Sequence, residues 1–138
     1  MVDLAFEPCG GLQGLPLGSS KETVRAFFGN GHQLFKRSHE SNPADYWPVT
    51  GVFAYYDDAH LLEALEFSGP SDPKLNGVSF MMVAMAEAIE RLRLLDPELS
   101  IEPGSATSRN LGISIWSPTD ELCQSVMSVI TFGPGYYD

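Results

Sequence analysis

The stretch that most constrains the fold is residues 51–67, with the sequence GVFAYYDDAHLLEALEF. Its first six residues are rich in aromatic and β-branched side chains, and its last seven are mostly apolar. Such runs favour strands, and the acidic stretch 57–60 between them is typical of a tight turn. The sequence therefore predicts a β-hairpin. A short helix is the alternative for the second run, because its leucines also recur at helical spacing.

Length and composition indicate one folded domain over residues 1–138. A chain of 138 residues is long enough to bury a sizeable core, and the 43% apolar fraction is that of a globular protein. Cys9 and Cys123 are its only cysteines, and they form no CxxC pair. We expect two reduced, buried thiols, with a disulfide as the alternative. Without a signal-like or membrane-spanning segment, the sequence predicts a soluble, cytoplasmic protein.

The charge is strongly negative and unevenly distributed. The formal net charge is −10, and residues 38–73 contain seven acids and no Lys or Arg. Such a field repels phosphate backbones, so we expect no nucleic-acid ligand, and it speeds encounters with a basic protein. Solubility alone is the alternative reason for an acidic surface.

Two main helices are predicted. The first begins at a capping box in which Ser19 is the cap and Glu22 reaches back, and it ends at the glycines of 29–31. The second covers 79–95, and its spacing places four residues in the core: Met82, Met85, Ile89 and Leu92. Strands are predicted in addition at 2–8, 32–37, 99–102, 111–116 and 122–132, with loops leading to Asp45 and over 103–110.

The two halves of the chain share one layout. A helix, a Gly-led strand and a returning strand occur in that order within residues 14–67 and again within residues 77–132. This pattern suggests an internal duplication. It predicts an α+β fold in which an antiparallel sheet is built from two hairpins and both helices pack on it.

Catalytic and metal-binding patterns are not found. The three histidines have no metal-ligand spacing, and the glycine-rich loop at 10–18 lacks the order of a phosphate-binding loop. Asp57, Asp58 and His60 could share a cation, but acids in a turn are ordinary turn chemistry. Cys123 could act as a nucleophile, although its apolar surroundings favour inert burial. The sequence therefore predicts no enzyme, no metal and no cofactor.

A family resemblance rests on short segments spread over most of the chain. They are GLPLGSSKETVR at 14–25, FG at 28–29, DY at 45–46, GVFAYYD at 51–57, LGISI at 111–115 and GYYD at 135–138. This succession resembles small bacterial immunity proteins of polymorphic-toxin and contact-dependent growth inhibition systems. The resemblance implies a non-enzymatic protein that binds and blocks a cognate toxin, often a nuclease with a basic cleft. Its segments are structural, so it assigns no functional residue.

The expected partner surface combines acids with aromatic anchors, because tight interfaces place a few anchors inside a charged rim. The alternative for the aromatic residues is packing at the edge of the core, and strand alternation allows only one of Tyr55 and Tyr56 to face a partner. The alternative functions are a small-molecule-binding domain, an enzyme with a perturbed nucleophile or acid, and a structural subunit or assembly adaptor. The predicted partner-binding residues are Asp45, Tyr46, Trp47, Tyr55, Tyr56, Asp57, Asp58, Glu63 and Glu66.

Overall fold

The computed structural model describes residues 4–8, 10–36, 38–39 and 41–137, and within these ranges it contains two α-helices and ten β-strands. In chain order the elements are α1 Lys21–Phe28, β1 Gln33–Phe35, β2 Ala44–Trp47, β3 Val52–Tyr56, β4 Leu62–Ser68, β5 Lys74–Leu75, β6 Val78–Ser79, α2 Met85–Leu95, β7 Ser100–Glu102, β8 Ser105–Ser108, β9 Ile113–Trp116 and β10 Ser128–Phe132. The predicted α+β class is confirmed.

Eight of the described strands form one antiparallel sheet, called here the large sheet, in the order β1-β2-β3-β4-β10-β9-β8-β7. β5 and β6 pair separately as a short ladder. β3 and β4 form the hairpin predicted at 51–67, so the second run is a strand and not a helix. The prediction that two hairpins build the sheet is incomplete. Residues 44–47 and 105–108, predicted as parts of loops, are strands that extend the sheet outward from each hairpin.

Alternation along the strands divides the large sheet into two faces. On the core face, Ala54 and Tyr56 join Val24 of α1 and Leu92 of α2 in the main hydrophobic cluster. Tyr55, between them in β3, belongs to a smaller cluster on the opposite side, called here the open face. Both helices therefore pack on the core face. The prediction that Tyr55 and Tyr56 point in opposite directions is confirmed.

Helix α1 begins one residue later than predicted. Its cap is Ser20, whose Oγ accepts a hydrogen bond from the Thr23 backbone N–H at 3.2 Å. Ser19 instead donates its hydroxyl to the Pro16 carbonyl at 2.6 Å. At the other end Gly29 has φ 88°, a left-handed value that glycine adopts without steric cost, and it closes the helix as predicted.

The helix predicted over 79–95 begins only at Met85. The preceding backbone pairs with another segment. Met82 donates its N–H to the Val126 carbonyl at 3.1 Å, and the Val126 N–H returns to the Val83 carbonyl at 2.8 Å. Met82 has φ 59° and is 66% exposed, so its predicted place in the core is wrong. The other three predicted core residues of this helix are buried: Met85, Ile89 and Leu92.

Three other predictions change. The strand predicted over 122–132 begins only at Ser128, and Cys123 before it is exposed, so its predicted burial is wrong. Cys9 lies outside the described residues. Of the strand predicted at 2–8, residues 2 and 3 also lie outside them, and Ala5 and Phe6 form isolated bridges.

The order of one helix followed by four strands of the large sheet occurs twice, as α1–β1–β2–β3–β4 and as α2–β7–β8–β9–β10. The halves meet where β4 pairs with β10. Equivalent glycines precede β3 and β9. Gly51 has φ 72° and donates its N–H to Trp47 at 2.8 Å, while Gly112 has φ 68° and donates to Ser108 at 2.9 Å. The Gly51 carbonyl also accepts the N–H of Ser68 at the end of β4, and the Gly112 carbonyl accepts the N–H of Phe132 at the end of β10.

The core position of Ile89 gives a stability prediction. Ile89 is 6% exposed in the main cluster, so Ile89→Ala should lower the free energy of unfolding by about 2–5 kcal/mol, as large-to-small changes in cores do. Leu94→Ala is the matched control on the same helix, because Leu94 is 84% exposed and should change stability by less than about 0.5 kcal/mol. Equilibrium unfolding in urea measures both. Equal effects would contradict the described orientation of α2.

Candidate functional site

The predicted partner-binding residues do not form one surface. Asp45 is 1% exposed on the core face, whereas Glu66 lies on the open face with Tyr55, so the prediction of a single acidic surface is wrong. Trp47 and Tyr56 are also buried in the main cluster and cannot contact a partner in this fold. Tyr55 is also buried, with 5% of its surface exposed. The other predicted residues are at least partly accessible: Tyr46, Asp57, Asp58, Glu63 and Glu66.

Asp45 instead joins α1 to the sheet. Arg25 donates from Nε to Oδ2 and from Nη2 to Oδ1 of Asp45, both at 2.9 Å, and the Tyr56 hydroxyl donates to Oδ2 at 2.7 Å. Burial alone would raise the pKa of Asp45, but the hydrogen bonds from Arg25 and Tyr56 and the Arg25 charge outweigh it and lower the pKa. The same contacts raise the pKa of the Arg25 guanidinium, while burial and the Asp45 carboxylate raise that of Tyr56.

Trp47 fixes the end of the same helix. Its indole Nε1 donates to the Gly29 carbonyl at 2.9 Å, and its ring lies 5.0 Å from that of Phe28. The hydrogen bond satisfies a carbonyl at the end of the helix, and the ring contact buries the last turn. Trp47 is therefore a packing residue, which is the alternative that the sequence left open.

The acidic turn between β3 and β4 is built by its own carboxylates. Asp57 Oδ1 accepts backbone N–H groups from Ala59 at 2.9 Å and from Leu61 at 3.0 Å. Asp58 is exposed and accepts from Asn42 Nδ2 at 3.0 Å. Asp57 thus shapes the turn, and Asp58 presents its charge to solvent.

Aromatic rings pack along the open face. Over β2 and β3, the Tyr46 and Phe53 rings stack at 4.3 Å, and Phe53 lies parallel to Tyr55 at 6.2 Å. In the middle of the sheet, Tyr136 and Tyr137 pack against Phe132 of β10 at 5.9 and 4.7 Å. The chain after β10 thus folds back over the open face and raises one wall of a depression.

That depression is a cleft of about 640 Å³ over the middle of the large sheet and its second half. Its lining is mostly hydroxyl-bearing, aromatic or charged: Tyr55, Glu66, Ser100, Glu102, Ser105, Thr107, Arg109, Ser114, Trp116, Ser128, Ile130, Tyr136 and Tyr137. Trp116 is 51% exposed. The cleft is therefore polar and aromatic, unlike the closed apolar core on the other face.

Glu66 lines the cleft on β4 and is held in place on both oxygens. The Tyr55 hydroxyl donates to Oε1 at 2.6 Å, and the Ser128 hydroxyl donates to Oε2 at 2.9 Å. Glu66 lies opposite Ile130, in the third of the five residue pairs that join β4 and β10. Each carboxylate oxygen can accept a further hydrogen bond, so the site suits a cation or a hydrogen-bond donor.

Sequence reasoning missed the second half of this site, although a pattern for it exists. In β8, β9 and β10 the open-face residues are mostly Ser, Thr or Trp, and they alternate with buried residues of the core face. Such alternation along a strand is typical of a sheet with one face on the core and one polar face. The individual residues are ordinary serines and threonines, and only the pairing of four strands brings them together.

Other kinds of site are not indicated in the described part of the chain. No group of three or more His, Cys, Asp or Glu side chains there could hold a metal ion. No helix of the described residues has the length and apolar character needed to cross a bilayer.

Comparison with protein-family models finds no match, and comparisons with curated proteins and with solved structures find no significant similarity.

The buried Asp45 contacts predict a pH-dependent contribution to stability. A carboxyl whose pKa is lowered by folding stabilises the fold above its unfolded value of about 3.9, and this contribution disappears as the pH falls through the lower folded pKa. Asp45→Asn should therefore cost about 1.5–3 kcal/mol at neutral pH, the range for hydrogen bonds to charged groups, and the loss should shrink below pH about 4.

Thermal and urea unfolding between neutral and acidic pH measure this difference. Asp120→Asn is the control, because Asp120 is exposed, and it should match the unsubstituted protein throughout. A cost of Asp45→Asn that stays constant down to acidic pH would refute the role given to its charge.

Proposed function

We propose that this protein is an immunity protein that neutralises a cognate bacterial toxin by binding it through the open face of the large sheet. The observation that carries the proposal is the cleft of about 640 Å³ on that face, opposite both helices and lined by tyrosine, tryptophan and hydroxyl side chains. Its place of action is the cytoplasm, and it acts by binding, without a catalytic step.

The composition of the open face supports protein recognition. Tyr and Trp provide large contact areas at low entropic cost, and Ser and Thr provide adaptable hydrogen bonds, as in antibody paratopes. Trp116 is the strongest candidate for an anchor because it is a half-exposed tryptophan at the cleft. Tyr46 and Phe53 extend the same face beyond the cleft. Trp116, Tyr46 and Phe53 thus take the anchor role that the sequence predicted for Trp47 and Tyr56.

The charge supports a basic partner. The net charge is −10, and the acidic turn at Asp57 and Asp58 projects from the end of the hairpin that also carries Glu66. A negative field accelerates association with a basic surface and disfavours nucleic acid as a direct ligand. A nuclease-type toxin has a basic cleft by necessity, and an acidic inhibitor that covers it excludes its substrate.

The internal duplication belongs to the same proposal. We infer that the two halves derive from one helix-plus-four-strand unit, because the order of elements and the glycine hydrogen bonds at Gly51 and Gly112 repeat. One such unit would leave an unpaired edge at its fourth strand. Pairing β4 with β10 removes both edges and creates an open face wide enough for a protein partner.

A small-molecule-binding protein is the second candidate. The cleft volume of about 640 Å³ lies within the range of roughly 300–1,000 Å³ that is usual for ligand pockets. A soluble ligand that saturates the cleft at micromolar concentration, without any effect of the protein on a toxin, would favour this candidate.

The toxin hypothesis is tested with any toxin effector domain that is found encoded next to this gene. Co-expression of this protein with that domain in a bacterial host should restore growth, and the purified proteins should form a one-to-one complex. Trp116→Ala should raise the Kd about 30-fold, the effect of losing an anchor worth about 2 kcal/mol, mainly through faster dissociation. Leu94→Ala on α2 is the control and should bind normally.

Replacing Asp57 and Asp58 together by Asn should change the association rate and not the dissociation rate. Association should slow by about threefold at low salt and depend less on salt, because the two charges steer the encounter but stay outside the central contact. Stopped-flow fluorescence measures this rate. Failure of the protein to restore growth or bind the neighbouring effector would refute the proposed function.

A further inference from the structure

The cleft contains one fixed carboxylate held by neutral donors. Both oxygens of Glu66 accept hydroxyl hydrogen bonds, from Tyr55 and Ser128, and among the described residues no cation lies within ion-pair distance of it. Asp45, by contrast, is paired with the guanidinium of Arg25. Glu66 is instead oriented by neutral hydroxyl groups and has no cationic partner among the described residues.

Aromatic side chains stand on both sides of this carboxylate. The cross-strand neighbour of Glu66 on β3 is Phe53, and Ser128, its hydrogen-bond partner, is the cross-strand neighbour of Trp116 on β9. Trp116 is therefore two strands away from Glu66 and offset by two residues along the strand, about 12 Å at the backbone. A planar cation in contact with the indole fills such a gap and reaches the carboxylate.

The charge balance of the lining favours a cation. Glu66 and Glu102 carry two negative charges, and Arg109 carries one positive charge and already has an interaction within the chain. One negative charge therefore remains in the cleft. Among cationic side chains, the guanidinium of arginine is planar, stacks on aromatic rings and presents several donors to carboxylate and hydroxyl oxygens.

We propose that the cleft is a receptor for one arginine side chain of the partner protein, with Glu66 as the charge partner and Trp116 as the stacking surface. This inference rests on the proposed function and gives it a point of attachment. The arginine of the partner inserts beside Trp116, donates to Glu66, and is surrounded by the hydroxyl groups of β8, β9 and β10. An arginine that a toxin needs for phosphate contacts would be withdrawn from its substrate in this way.

The test uses a small probe, so that it does not depend on the toxin. N-acetyl-arginine methylamide is titrated into the full chain, and N-acetyl-citrulline methylamide, a neutral molecule of nearly the same shape, is the matched control. The chain has two tryptophans, so their indole N–H signals in NMR spectra report separate places. Trp116 reports the cleft, and Trp47, bonded to Gly29 on the core face, reports the fold.

The arginine probe should shift the Trp116 signal in a saturable manner and leave that of Trp47 unchanged. The citrulline probe should bind at least about tenfold more weakly, since it lacks the charge that strengthens the hydrogen bonds to Glu66. Glu66→Gln should weaken arginine binding by a similar factor. Glu22→Gln on α1, where the side chain is exposed and outside the cleft, should have no effect.

The outcomes separate the two proposals. Equal shifts of Trp116 by both probes, no shift by either, or unchanged arginine binding by Glu66→Gln would overturn the arginine site, whatever the growth assay shows. If Glu66→Gln disturbs the fold, as the Trp47 signal would reveal, Trp116→Ala takes its place, with binding followed by the backbone amide signals of β9 and β10. Growth protection with a failed probe test would leave the immunity function standing, and probe binding without protection would refute the immunity function.

Discussion

The pairing of β4 with β10 is the interaction on which the rest of the structure depends. Five residue pairs join these strands, from Ser128 opposite Ser68 to Phe132 opposite Ala64. The partners are far apart in the sequence, so each pair closes a long loop, and this entropic cost must be met by the contacts formed afterwards. The seam meets that cost on its core face, where Leu65, Phe67 and Val129 are all buried in the main cluster.

The same pairing also determines what lies on the open face. It places Ser128 beside Glu66 and thereby orients this carboxylate in the cleft. One seam thus joins the two halves and forms the candidate site.

Inside the fold, each half also contains one buried carboxylate. Asp45 is bonded to Arg25 and Tyr56, and Asp96 at the end of α2 accepts from Ser108 at 2.6 Å, from Asn110 and from the Glu98 backbone N–H, both at 3.0 Å. Burial opposes the charge of Asp96, but these hydrogen bonds prevail and lower its pKa.

Local sequence predicted the elements that carry strong local patterns. The hairpin at 51–67 was predictable because aromatic and β-branched runs flank a turn, and the end of α1 was predictable from glycine. The strands β2 and β8 were not. Ser105–Ser108 of β8 has low strand propensity and gains its hydrogen bonds from neighbours on both sides. β2 is only four residues long, and it too is paired on both sides, by β1 and β3. The start of α2 failed for a related reason. Residues 80–84 are apolar enough for a helix, but their backbone pairs with Val126 and Ser125 instead.

The candidate site was predictable only in part, and Tyr55 and Tyr56 illustrate the reason. Both tyrosines donate a hydroxyl hydrogen bond to a carboxylate, Tyr55 to Glu66 at 2.6 Å and Tyr56 to Asp45 at 2.7 Å. In the sequence they are adjacent, identical and close to acidic residues, so their surroundings in the sequence predict the same partner-binding role for both. Strand alternation separates them, since one carboxylate lies under α1 and is paired with Arg25, whereas the other lies in an open cleft. The same kind of hydrogen bond, from a tyrosine hydroxyl to a carboxylate, therefore joins a helix to the sheet on one face and orients an accessible carboxylate on the other.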